Sequence, residues 1–264
     1  MDMFGFLIRK TAYDSWDNMF RIVLVNIGFV AILAIPVYLP RLINIIGFEV
    51  ANWLEIAIRA FGILLCSVYV AAAALSVKSI SDYSSFGSAD FLRNLKKAWP
   101  AGLIMGLAIF VLFMIIVIVI PFYMSIDSML GLFLAAIVFW AMIFGILSFQ
   151  FYFAVHARLG STLIKTFKKC LLIFFDNPGF AVFAFLHNFI ALILSVLLAF
   201  MFPGPCGILL FLDEALRLRL LKYDWLEANP GSKRSKIPWD ALLVEEREKT
   251  GVRTFRNFIF PWKD

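Results

Sequence analysis

Apolar side chains fall in long charge-free blocks, and the block lengths predict the elements. The blocks run over 22–40, 60–77, 98–126, 128–157 and 177–212. About 20 apolar residues cross a hydrocarbon core of ~30 Å, so each block is long enough for a membrane span. The last is too long for one: its 36 residues would extend about 54 Å as a single helix. Phe202-Pro203-Gly204-Pro205-Cys206-Gly207 supplies a break, because each proline removes a donor and disfavours helix in the residue before it. Six spans result, at approximately 22–40, 54–77, 100–123, 129–153, 179–201 and 206–222. They make up a transmembrane domain over 22–223, between an interfacial N-terminus (1–21) and a tail (224–264).

Lysines and arginines orient these spans. With a cytoplasmic N-terminus, the inner segments carry 3 (1–21), 4 (77–100), 4 (154–178) and 11 (216–264) of the 24 basic residues. Arg41 and Arg59 alone fall outside. Removing the sixth span would send the last group out and reverse the positive-inside bias. Both termini are therefore expected in the cytoplasm, and no removable signal peptide is read at the N-terminus.

Two connections share a pattern: Gly87 to Lys97, and Gly160 to Lys169. In each a serine after the glycine reads as N-cap, apolar residues recur at helical spacing, and a Lys-Lys pair closes the turn. Two cytoplasmic interfacial amphipathic helices are expected, each followed by a proline at the next helix start (Pro100, Pro178). In the tail, 244–250 reads as a short helix. Lys233-Arg234-Ser235-Lys236 forms a basic cluster, and Phe255, Phe258, Phe260 and Trp262 an aromatic end. Basic and aromatic contacts suit a tail folded back onto the membrane surface.

Composition agrees with a lipid-facing fold: 62% of residues are hydrophobic, 16% charged, and mean hydropathy is +0.91. A net charge of +6 follows from the inner-loop bias and does not indicate nucleic acid. Cys66, Cys170 and Cys206 lack the spacing of a disulfide framework or a zinc site.

Polar groups inside spans are costly, so they are the candidate site. Arg59 on the second span and Asp213 and Glu214 on the sixth lie at similar counted depth from the outer ends, which permits an ion pair. Asp213 and Arg217 are also spaced i, i+4. The set reads as a structural pairing, as a site for an ion or polar solute, or as solvated charge if the sixth segment is interfacial. Asn26, Gln150, His187 and Asn188 are neutral intramembrane groups suited to interhelical hydrogen bonds or a proton relay. Gly102 and Gly106 form GxxxG and Ala71 to Ala74 a small face, both suited to close packing within the bundle. No hydrolase elbow, zinc-protease, phosphate-loop or dinucleotide motif occurs, and His156 beside Arg158 has no nearby nucleophile. No enzyme, catalytic residue, metal or cofactor is expected.

Trp16-Asp17-Asn18-Met19-Phe20 leads into a first span with Asn26 and Pro36. Tyr69 to Ala74 feed the basic Phe91 to Lys97 helix, and Pro205-Cys206-Gly207-Ile208-Leu209-Leu210 leads to Leu220-Leu221-Lys222-Tyr223. In these features, over roughly residues 13 to 223, the chain resembles the YesL-like family of small bacterial integral membrane proteins. The tail and the Asp213-Glu214 pair depart from the family pattern. The resemblance implies a bacterial inner membrane and an association with carbohydrate uptake. The expected role is an accessory or assembly subunit of a membrane complex such as a solute-uptake system, with lipid and a membrane protein or second copy as partners. The alternative is a small secondary transporter or channel using the Arg59, Asp213 and Glu214 set.

Overall fold

The computed structural model describes residues 3–46, 52–231 and 237–251, and among them every regular element is helical. The chain is an all-α, multi-pass membrane protein. Its elements are α1 (Met3–Asp17), α2 (Met19–Ile45), α3 (Asn52–Ser81), α4 (Ser88–Met114), a π-turn (Ile115–Val119), α5 (Ile120–Ser125), α6 (Met129–Phe149), α7 (Tyr152–Leu159), α8 (Leu163–Asp176), α9 (Pro178–Leu197), α10 (Gly204–Ala228), α11 (Trp239–Leu242) and α12 (Val244–Thr250). Five stretches are long and apolar enough to cross a membrane: Met19–Ile45, Trp53–Ser81, Ser88–Ser125, Met129–Leu159 and Pro178–Leu197. α10, with its charged middle, is not among them.

α3 is the axis of the bundle. Ala71, Ala72, Ala73 and Ala74 are all buried, since small side chains let neighbouring backbones approach. The GxxxG glycines of α4 use that approach: a Cβ on Gly102 would collide with the Val68 backbone, and one on Gly106 with Leu64. The GxxxG therefore serves the interior of the bundle. α10 lies against α3 and runs back along α9. Their antiparallel register is fixed by the Gly204 amide donating to Ser195 Oγ at one end, 3.0 Å, and by Lys222 donating to Asp176 at the other, 2.9 Å. α12 spans 244–250 as expected.

Three local expectations are corrected. The first amphipathic segment is not a separate interfacial helix, because α4 runs unbroken from Ser88 through Pro100 into the span. One proline deletes one bond, and the surrounding turns carry the helix past it. The caps are Gly87 and Thr162 rather than the serines, and Gly87 donates its amide to Asp90 at 3.0 Å. α8, by contrast, is separate, and Pro178 opens α9 as expected. The break after α9 begins earlier than expected, at Leu198, with Ala199 and Phe200 left-handed, and α10 continues past Lys222 to Ala228. The 233–236 basic cluster and the aromatic end at Phe255, Phe258, Phe260 and Trp262 lie outside the described residues.

Candidate functional site

Most of the charged groups inside the protein gather at one end of the bundle, and α10 explains how. Successive helix residues point about 100° apart, so neighbouring Asp213 and Glu214, each 1% exposed, face different helices. Asp213 accepts from Arg158 of α7. Glu214 accepts from Thr11 and, at 3.3 Å, from Lys10 of α1. Arg217, a turn further on, donates to Asp82 at 2.8 Å, to Glu246 of α12 at 2.6 Å, and to the Ser81 carbonyl at 2.6 Å. Arg158 also reaches Asp82, at 3.1 Å. Lys10 completes the set with Asp14 one turn along α1.

The end of α3 is the hub. Its last carbonyl, Ser81, is reached by Arg217 and, at 3.4 Å, by Lys10, the arrangement a helix C-terminus favours. Tyr83 follows with φ of 58°. Its hydroxyl donates to Glu246 at 2.8 Å, and its ring lies 4.3 Å from the Lys10 ammonium and 5.3 Å from the Arg217 guanidinium. Burial pushes the Tyr83 phenol up to about 12. Burial alone would lower the Lys10 ammonium, but the Glu214 and Asp14 carboxylates outweigh it and hold it above the ordinary lysine range.

Five carboxylates (Asp14, Asp82, Asp213, Glu214, Glu246) thus meet three cations (Lys10, Arg158, Arg217), with Lys249 at the edge of the Tyr83 ring. Below them, Lys222 and Arg219 bind Asn177 at 2.8 and 3.1 Å, and Arg219 stacks on Phe180 at 3.6 Å. The network joins α1, α3, α7, α10 and α12, and a second set joins α10 to the start of α9.

The expected pairing of Arg59 with Asp213 and Glu214 does not occur. Arg59 pairs with Glu55 on its own helix, half exposed, while Asp213 sits beside Ser81 through Arg158. The 22 residues from Arg59 to Ser81 span about 33 Å of α3, so the two groups occupy opposite ends of the bundle. The depth count failed because α10 starts level with Asn26 of α2, not at the outer ends. Nor does Arg217 turn back to Asp213; it serves Asp82 and Glu246 instead.

The neutral groups stitch helices. Asn26, fully buried, donates to Met201 and Pro203 carbonyls at 3.0 and 2.9 Å and accepts from the Cys206 amide at 3.0 Å, holding the α9–α10 break. Gln150 donates to Leu147 and Ala181 carbonyls, both at 2.9 Å, tying α6 to α9. His187 stacks on Phe211 at 3.6 Å, and its Nδ1 lies 3.5 Å from Asn188.

Lys10, Thr11, Asp14, Asp82, Arg158 and Glu246 escape the sequence reading. For Lys10 and Asp14 a signal exists: they are spaced i, i+4 and continue the apolar stripe of Met3, Phe6 and Leu7, so α1 has charge where its buried face should be. Arg158 gives no local sign, since its partner is 55 residues away. Among the described residues no group of three or more His, Cys, Asp or Glu is placed to hold a metal ion.

No family model, curated protein or solved structure matches the chain, so the likeness to the YesL-like family rests on the quoted residue patterns alone.

Proposed function

We propose that the chain is a non-enzymatic accessory or assembly subunit of a membrane complex, such as a bacterial solute-uptake system, as the YesL-like resemblance implies. The end that gathers the buried charges together with the lysines and arginines of the inner segments, the basic end, then faces the cytoplasm of an inner membrane, with both termini there. One observation carries the reading. Within its most apolar stretch α3 is 44% buried inside the protein, whereas the stretch through α4 and α5 is 6% buried and that through α6 and α7 is 11% buried. The arm from α4 to α6 offers apolar surface that the chain itself does not use. Its charged groups, meanwhile, are spent on each other rather than along a path between the two ends.

The test places a photo-crosslinking residue at Leu132 or Phe139 of α6 and, for comparison, at Leu186 or Ile193 of α9, in native membranes. These four side chains are exposed. One discrete protein adduct from the α6 positions alone is expected; lipid adducts only, from all four, would overturn the reading.

A transporter is the second reading, favoured by a cavity of about 410 Å³ between α1, α9 and the turn before α10. Thr11, Trp16 and His187 line it, and Thr11 binds Glu214. On that reading Glu214→Gln abolishes solute flux in a chain that still folds, whereas Arg59→Gln leaves flux unchanged.

A further inference from the structure

α4 and α6 enclose a cleft rather than packing along their length. It measures about 690 Å³ and is lined by apolar side chains, Met105 to Ile115 on one wall and Ile137 to Phe149 on the other, with Gln150 at its foot. The walls draw together at both ends. At the foot the Tyr152 hydroxyl meets the Ala101 carbonyl at 3.4 Å. At the head the π-turn brings α5 onto α6, so closely that a Cβ on Gly131 would lie 2.7 Å from the Tyr123 carbonyl oxygen. Pro121, which has no amide to donate, accounts for the widened turn before it. Between these ends a Cβ on Gly145 would meet no atom within 4 Å.

The length of the cleft identifies an occupant. Met105 to Ile115 rises about 15 Å and Ile137 to Gln150 about 20 Å, which is the hydrocarbon depth of one leaflet, about 15 Å. A helix from a partner would need the full ~30 Å. Charge at the foot identifies the headgroup. Lys96 and Lys97 are exposed on the first turns of α4, and Lys165 and Lys168 are exposed on α8. Phe167 of α8 packs edge-on at 5.1 Å against Phe149 in the cleft wall. The nearby Asp90 is already engaged by the Gly87 amide and by Arg93.

We propose that this cleft holds an acyl chain of one anionic phospholipid from the leaflet at the basic end, its headgroup between the α4 and α8 lysines. The site is independent of the partner reading, since neither Leu132 nor Phe139 lines the cleft.

Native mass spectrometry of the detergent-purified chain tests it, with phosphatidylglycerol and phosphatidylcholine titrated separately. The expected result is one retained phosphatidylglycerol per chain, preferred about tenfold or more over phosphatidylcholine. Gly145→Leu, which fills open space, should lower retention of both lipids about tenfold with unchanged thermal unfolding. Lys165→Ala with Lys168→Ala should instead reduce the preference and spare retention. Retention of lipid unaffected by Gly145→Leu would overturn the proposal. So would a dimer that Gly145→Leu dissociates, which would give the cleft to a second copy of the chain.

Discussion

Two arginine–carboxylate pairs stand at opposite ends of the bundle, and they differ in almost everything but chemistry. Arg59 and Glu55 lie on one face of α3 with side chains 47% and 38% exposed. Arg158 and Asp213 come from different helices, 10% and 2% exposed. An exposed pair i, i+4 contributes little, because water competes for both partners. A buried pair is different: its formation roughly offsets the cost of desolvation, but losing one partner strands a charge. Composition alone would rank the two pairs equally; burial separates them. The basic end is where the helices are locked, and the other end is where the chain tolerates change.

The sharpest break of this contrast is Arg158→Ala, which leaves Asp213 buried without its cation. It should cost about 3–5 kcal/mol, seen as a large fall in the unfolding temperature of the detergent-solubilised chain. Asn26→Ala removes two donors and an acceptor from the α9–α10 break and should cost about 3 kcal/mol, with chemical denaturation as the measurement. Alkali should loosen the basic end. The Tyr83 phenol holds its proton more tightly folded than unfolded, so its contribution is complete below pH 10.0 and is lost as pH rises through about 12; Lys10 has the same sign. Tyr83→Phe should therefore flatten the alkaline fall in stability by about 1 kcal/mol, allowing for solvent screening of a half-buried phenol. Arg59→Gln closes the series at about 0–1 kcal/mol by the same denaturation assay.

What the sequence discloses follows the same division between local and distant causes. The break at Pro203, the start of α9 at Pro178, the helix at Val244–Thr250 and the packing glycines 102 and 106 are legible, because each depends on neighbours within a few residues. Pro100 misleads for the converse reason: a proline ends a helix only if the surrounding turns cannot carry it, and in α4 they do. The candidate site is legible in part. Asp213, Glu214 and Arg217 stand out as charges in an apolar setting, yet their partners do not. Lys10 and Glu214 are 204 residues apart, and counting residues from the span ends could not place them at one level. Depth depends on where α10 begins, and that is set by the bonds of Asn26 to the α9–α10 turn, a tertiary feature.

A double-mutant cycle on Arg158 and Asp213, with the Arg59 and Glu55 cycle as reference, tests most directly whether the basic end is the lock. Arg158→Met, Asp213→Leu and the double variant would be compared by denaturant unfolding in one detergent. A coupling of about 2–3 kcal/mol for the buried pair, against less than about 0.5 kcal/mol for Arg59 and Glu55, is the predicted result. Equal couplings at the two ends would contradict it.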